Sequence, residues 1–309
     1  VTDPSLRASP AIVGDCARPP AQVQRLRQVT YAHAARTRRG RVLIRSVETL
    51  TGRNALLRRM RGLHALDATS PAFWAAIADR FGLALDCPEA ELDRIPAEGP
   101  VVVVANHPYG ILDGLVMGML LARRRGDFRI LANEVFLQAE ELAAVTLPVS
   151  FDSDRGAQIR NVAMRQTAVA HLRAGGAVGV FPGGAVSSSI RPFGPAADPR
   201  WRSFTAKMIG SAEAQVVPVW FEGANSRLFH LATHVHATLR LSLLIAEFRR
   251  RADRPVRLRV GPPIPADEIA AIPGGRAALM AELRRRTYAL GGQDAAPGWD
   301  WEEPRQGCA

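Results

Sequence analysis

Val101-Val102-Val103-Val104-Ala105-Asn106-His107-Pro108-Tyr109-Gly110-Ile111-Leu112-Asp113 is the stretch on which the reading of this chain turns. An unbroken run of valine at this length reads as a buried strand. Pro108 and Gly110 then force a turn. The strand ends in Asn106-His107, and a carboxylate follows six positions later. Neutral imidazole takes a proton near neutral pH, and a carboxylate can hold its tautomer and steady its positive charge. The plainer reading has His107 capping a strand and Asp113 capping the next helix. On this stretch alone the two readings stand level.

Working outward, strands are expected at 101–105, 129–132, 145–149, 177–181, 216–221 and 256–260. Helices are expected at 113–124, 155–173, 203–213, 233–251 and 275–288. This alternation predicts an α/β fold: a mixed, largely parallel sheet flanked by helices, preceded by an N-terminal helical, Arg-rich segment. In such sheets ligands gather at the carboxyl edge of the strands. Three expected strands end in unusual chemistry: Asn106-His107, then Phe181-Pro182-Gly183-Gly184-Ala185-Val186-Ser187, then Phe221-Glu222-Gly223-Ala224-Asn225-Ser226. One such end is weak evidence; three on one edge would build a site.

The chain has 309 residues, 47% of them hydrophobic, enough for a sizeable core. Cys16, Cys87 and Cys308 form no metal-ligand spacing, so neither a disulfide framework nor a zinc site is expected, and a reducing compartment is. The first fifty residues lack a basic start followed by an apolar segment, so no signal peptide is expected. No apolar run approaches the ~18 residues that a spanning helix requires.

The net charge of +11 is concentrated. Eleven arginines and one acid, Glu48, lie between Ala21 and Gly62, a local charge of +10. Such a block suits an anionic membrane surface, an acidic carrier protein or nucleic acid, and for any single arginine a solvated helix face is the simpler reading. Four divisions are expected. Residues 1–20 form an arm, and 21–80 a basic amphipathic segment with helices broken around Arg39-Gly40 and Thr51-Gly52. Residues 81–290 form the α/β domain, and 291–309 an irregular tail.

The ordered set of motifs resembles the glycerolipid acyltransferase family, the lysophosphatidic-acid-acyltransferase-like enzymes. Its hallmarks are Asn-His, a short spacer and Asp, then Phe-Pro-Glu-Gly, then Val-Pro-Val on a strand. Here these are Asn106-His107 with Asp113, Phe181-Pro182-Gly183-Gly184, and Val217-Pro218-Val219. The resemblance covers about 80 to 270. It is particularly close to the branch with Asn-His-Pro-x-Gly-x-x-Asp-Gly and a downstream Phe-Glu-Gly-x-Asn-Ser, which includes hemolysin-like proteins and enzymes that acylate lyso-ornithine lipid. Two departures stand out. The spacer, Pro108 to Leu112, is five residues rather than four, and Gly183 replaces the usual glutamate. Ala185 stands where the related branch often has a glutamate, leaving Glu222 as a candidate substitute.

The resemblance implies transfer of a fatty acyl group from a thioester, acyl carrier protein or CoA, to the hydroxyl of a lysolipid. His107 would be the base and Asp113 its orienter. Gly183 and Gly184 would permit a backbone cradle for the oxyanion. Arg155 would meet the acceptor's polar head, and Asn225 would orient the loop after the third strand. Ser187, Ser188 and Ser189 read most simply as helix caps. His230, His234 and His236 read as polar helix positions, with no metal and no cofactor implied. The expected setting is peripheral, on the cytoplasmic side of an inner membrane, with the Arg-rich segment meeting the bilayer and nucleic acid not expected as a partner. Alternatives are a lysophosphatidic acid acceptor, thioester hydrolysis with water as acceptor, and a catalytically degenerate basic membrane- or nucleic-acid-binding scaffold.

Overall fold

The computed structural model describes residues 37–294, apart from 61–62, 64–65, 139, 151–154, 192 and 236. Expectations for the N-terminal arm, the tail beyond 294 and His236 therefore lie outside the described residues. Among the described residues three helices come first: α1 (Arg38–Leu50), α2 (Arg53–Arg59) and α3 (Pro71–Phe81). After them come β1 (Leu85–Asp86), α4 (Glu89–Leu92), β2 (Val101–Ala105), α5 (Ile111–Arg124) and β3 (Phe128–Asn133). A 3-10 turn, Glu134–Gln138, leads to α6 (Glu140–Ala143), β4 (Thr146–Val149), α7 (Arg155–Arg173) and β5 (Ala177–Val180). A small ribbon, β6 (Ser188–Ser189) with β7 (Ala196–Ala197), precedes α8 (Ser203–Ala212) and β8 (Gln215–Phe221). The last elements are α9 (Arg227–Val235), α10 (Ala237–Arg251), β9 (Val256–Val260), α11 (Ala266–Ala271) and α12 (Gly275–Ala289).

The main sheet has seven strands in the order β1-β9-β8-β2-β5-β3-β4. β2 lies parallel to both β8 and β5, β3 is parallel to both β5 and β4, and only the β8–β9 pair is antiparallel. The α/β architecture and the mixed, mostly parallel sheet are as the sequence implied.

The valine run explains itself through alternation. Val101, Val103 and Ala105 face the core built with α3 and α5, beside Phe73, Trp74, Leu112 and Val116. Val102 and Val104 face the opposite core, beside Leu172, Ile209 and Leu283. Successive side chains of a strand point to opposite faces, and helices cover both, so every position must be apolar. All four valines are fully buried, each contributing roughly 1.5–3 kcal/mol of transfer free energy.

Two expected helix boundaries move. Arg39-Gly40 lies inside α1 rather than breaking it, because Thr37 caps the helix: its Oγ1 accepts the Gly40 N–H at 3.0 Å. A glycine in the first turn costs little once that cap is made. The break at Thr51-Gly52 is present, with Gly52 in the left-handed region. The expected helix over 233–251 is instead α9 and α10, and α9 starts earlier because Ser226 Oγ accepts the Phe229 N–H at 3.2 Å.

Candidate functional site

Because β8, β2 and β5 are adjacent and parallel, their carboxyl ends meet side by side. The three chemically unusual strand ends thus form one edge. At its centre, Asn106 is buried and clamps the neighbouring strand. Its Oδ1 accepts the Phe221 N–H at 2.7 Å and its Nδ2 donates to the Phe221 carbonyl at 2.9 Å. An amide is the side chain that can do both at once. Asn106 therefore aligns the ends of β2 and β8 rather than pointing into open space.

His107 is the next residue, with its side chain 18% exposed beside a fully buried Asp113. Its Nδ1 stands 3.0 Å from Asp113 Oδ2, an ion-pair distance reached without the alignment of a hydrogen bond. The five-residue spacer makes this approach possible. Gly110 takes φ +82, where a Cβ would be strained, and turns the chain into α5. Asp113 is the third residue of that helix, and its Oδ2 also accepts the N–H of Tyr109 (2.8 Å) and of Gly110 (2.9 Å). Asp113 caps α5 and also faces the imidazole. Among the described residues its Oδ1 has no hydrogen-bond partner.

The imidazole lies flat on Phe181, with ring centroids 4.1 Å apart and planes 22° apart. Phe181 follows the last residue of β5, so the aromatic of the Phe181-Pro182-Gly183-Gly184 turn serves as the floor beneath His107. With Nδ1 toward Asp113, Nε2 is the ring atom left for a reacting group. The turn is tight: Gly184 takes φ +69 and its N–H is already paired with the Phe181 carbonyl at 3.0 Å. The Pro182 carbonyl accepts the Arg202 N–H at 3.0 Å, where α8 begins. The expected cradle thus cannot draw on the Gly184 N–H without opening the turn.

Several sequence-predicted residues sit elsewhere on the edge. Glu222 is exposed, its carboxylate 3.6 Å from Arg257, while its carbonyl accepts the Tyr109 hydroxyl at 2.6 Å. It holds Tyr109 through the backbone and does not replace the missing motif acid. Asn225 is buried, and neither side-chain amide atom has a hydrogen-bond partner among the described residues. It lies beside Ser226, whose hydroxyl and N–H bond the carboxylate of Glu247. Arg155 opens α7 as an exposed residue after β4, three strand positions from β2. His230 is buried in α9 and burial lowers its pKa, whereas His234 is exposed. Ser187, Ser188 and Ser189 cap no helix. They are buried at the base of the β6–β7 ribbon, where the Ser187 N–H donates to the His107 carbonyl at 2.7 Å.

Sequence reading missed Asp198. This carboxylate is fully buried; its Oδ1 accepts the His107 N–H (3.1 Å) and the Ser187 hydroxyl (2.5 Å), and its Oδ2 accepts the Trp201 indole N–H (2.9 Å). Burial raises its pKa, against the lowering effect of these donors and of His107 nearby. The only signal in the chain was one acid in the loop Phe193-Gly-Pro-Ala-Ala-Asp198-Pro-Arg-Trp201.

Together the edge offers a partly exposed imidazole with a fixed acid behind one nitrogen, an aromatic floor and a glycine turn. That set can remove a proton from a hydroxyl while an acyl carbonyl is attacked.

A family model described as an acyltransferase matches residues 58–296. Two lyso-glycine lipid O-acyltransferases, from Phocaeicola vulgatus and Bacteroides thetaiotaomicron, are each 29% identical over 182 residues. The match covers 56% of this chain and 62% and 64% of theirs, so the chain spans about three fifths of the length of these relatives. Among solved structures, the 1-acyl-sn-glycerophosphate acyltransferase of Thermotoga maritima shares 13% identity with a TM-score of 0.43, covering 86% of this chain and 87% of that one.

Proposed function

This chain belongs to the acyltransferase family, and on that premise we propose that it moves a fatty acyl group from a thioester to the hydroxyl of a lysolipid, with His107 as base. The observation that carries the reading is the His107–Asp113 pair at 3.0 Å on the shared edge of β8, β2 and β5. His107 Nε2 takes the proton of the acceptor hydroxyl as its oxygen attacks the thioester carbonyl carbon. A carbon–oxygen bond forms, giving a tetrahedral oxyanion. The carbon–sulfur bond then breaks, and the leaving thiolate recovers the proton from His107. Asp113 keeps Nδ1 toward itself and balances the imidazolium that forms.

The acceptor we favour is a lyso-amino-acid lipid, glycine or ornithine, supported by the relatives' names and by the Phe221-Glu-Gly-Ala-Asn225-Ser226 segment. Arg155 and Asn225 are the residues we assign to the head group. The donor is a long-chain thioester of acyl carrier protein or CoA, and no cofactor takes part.

The acceptor lives in a bilayer, and among the described residues no helix is long and apolar enough to cross one. We assign contact to the surface instead, on the cytoplasmic side. α1 presents Arg38, Arg39 and Arg45 to solvent together with Val42 (65% exposed) and Leu50 (83% exposed). The tip between β6 and β7 presents Phe193, 80% exposed, beside an exposed Arg191. Apolar side chains among arginines suit an anionic interface.

The test is a product assay by mass spectrometry. Purified protein receives long-chain acyl carrier protein and acyl-CoA, with lyso-glycine lipid, lyso-ornithine lipid and lysophosphatidic acid in competition. A diacylated amino-acid lipid that vanishes in His107→Ala is the expected product. Diacylated phosphatidic acid would replace the acceptor, free fatty acid alone would replace transfer with hydrolysis, and no turnover by folded protein would sink the reading.

A further inference from the structure

Asp198 packs directly against Gly183. A Cβ built on Gly183 would stand 3.4 Å from the Cβ of Asp198 and 3.3 Å from Cδ of Pro199. A side chain at 183 would therefore start in tight contact with Asp198 and Pro199. Asp198 comes from fifteen residues further along the chain, in the loop between β7 and α8, yet its carboxylate reaches the same edge.

The contacts of Asp198 are directed at the base. Oδ1 holds the His107 N–H and the Ser187 hydroxyl, and the Ser187 N–H holds the His107 carbonyl. Both main-chain polar groups of His107 are thus satisfied by one small unit. Asp198 is itself anchored on three sides. Oδ2 accepts from Trp201, its own N–H donates to the Tyr288 hydroxyl at 2.8 Å, and its carbonyl accepts from Arg284 at 3.3 Å. A fully buried carboxylate is costly unless its oxygens are met by donors, and such groups rigidify their neighbours when they are.

We infer that Asp198 supplies, from another loop, the carboxylate that Gly183 leaves out of the turn, and that it positions His107 by holding its main chain. The inference rests on His107 being the base and deepens that reading. Asp198 touches no reacting atom; it acts through His107 and Ser187.

Displacing a base by about 1 Å costs on the order of 100-fold in rate. Asp198→Ala should lower kcat by roughly 10- to 100-fold and leave the donor KM within about twofold, since misplacing the base weakens the transition state and not thioester binding. Gly183→Glu alone should also lose activity, because its side chain would crowd Asp198 and Pro199 and bring a second acid beside a buried one. The double variant Gly183→Glu/Asp198→Ala should recover several-fold over Asp198→Ala. Rescue would show that a carboxylate at this place is needed, and the kcat-against-KM split separates positioning from loss of fold.

The reading is overturned if folded Asp198→Ala keeps wild-type kcat, or if the double variant is no better than Asp198→Ala. Should Asp198→Ala fail to fold, Asp198→Asn takes its place. Its NH2 must face either the Trp201 indole N–H or, if flipped, the His107 N–H, so the hold on His107 is loosened and a smaller kcat loss at constant KM is expected. A readout independent of turnover separates this inference from the acyltransferase assignment. Amide hydrogen exchange at His107 should quicken in Asp198→Ala while distant core amides in β3 stay protected. Unchanged exchange at His107 would overturn the contact even if the enzyme's acceptor proved to be something else. A wild-type protein that transfers no acyl group, with exchange at His107 still quickened, would sink the function and leave the positioning contact standing.

Discussion

His107 Nδ1 and Asp113 Oδ2 stand 3.0 Å apart, and that same carboxylate oxygen takes the N–H groups of Tyr109 and Gly110. The acid is therefore held by the backbone of the turn that separates it from the histidine. It cannot swing away without uncapping α5. Orientation of the imidazole and the start of the helix are one structural event.

Replacing His107 by Ala should abolish turnover and leave the fold intact. A general base is worth about 100- to 10,000-fold in rate. The side chain is partly exposed, so loss of its packing on Phe181 should lower stability by only about 1 kcal/mol. Near-wild-type turnover in a folded variant would remove His107 from the mechanism.

Asp113→Asn separates the two duties of the acid. Weakening the cap should cost about 1 kcal/mol, which lowers the melting temperature by a few degrees in a chain of this size. Loss of the carboxylate behind Nδ1 should lower kcat by a further 100-fold or more, as expected when an imidazole loses its orienting charge. A variant with reduced melting temperature and unreduced kcat would make Asp113 a helix cap alone.

Asn106→Ala should hurt stability first. It leaves the Phe221 N–H and carbonyl without the partners they now have at 2.7 and 2.9 Å in a buried setting. Each unsatisfied group costs about 1–3 kcal/mol. Denaturant titration should show a loss of several kcal/mol with an unchanged slope. A loss below about 1 kcal/mol would mean that water reaches the gap.

Asp198 predicts a pH dependence of stability with a definite sign. An ordinary aspartate titrates near ~3.9, and burial raises the folded value. Between the two values the folded chain holds a proton that the unfolded chain has released, so stability falls as pH rises through that window. Asp198→Asn lacks the titrating group. The stability of wild type relative to this variant should decline as pH climbs from about 4 and level off above the folded titration point. Denaturation curves for both proteins across a pH series check this, and parallel pH profiles would refute it.

Surface contact should be both apolar and ionic. Val42→Ser, Leu50→Ser and Phe193→Ser together should weaken binding to vesicles containing anionic lipid, without changing turnover on short-chain substrates in solution. Raising salt should weaken wild-type binding further, because exposed charges are screened within about 10 Å at 0.1 M. Binding by the triple variant equal to wild type would move the membrane contact to another face.

The order of strands and helices was legible because hydrophobic periodicity is a local property. The valine run and the glycine turns each declare themselves within a few residues. Asn106, His107, Asp113 and Phe181 were legible for a related reason: each lies at or near the end of a strand, where backbone direction already points the chain at the carboxyl edge of the sheet. The helix boundary at Gly40 was misread because Thr37 outweighs a glycine in the first turn.

The sequence by itself determined that β2 would be buried on both faces, that three strand ends carried chemistry and that an acid stood within reach of His107. Only the tertiary structure decided that those ends are neighbours, since strand order is set by long-range pairing that no local pattern encodes. It also decided that Glu222 points away toward Arg257 while Asp198 fills the space beside Gly183. A buried carboxylate owes its place to donors drawn from His107, Ser187 and Trp201, separated by up to 94 positions in the chain, and only folding brings them together.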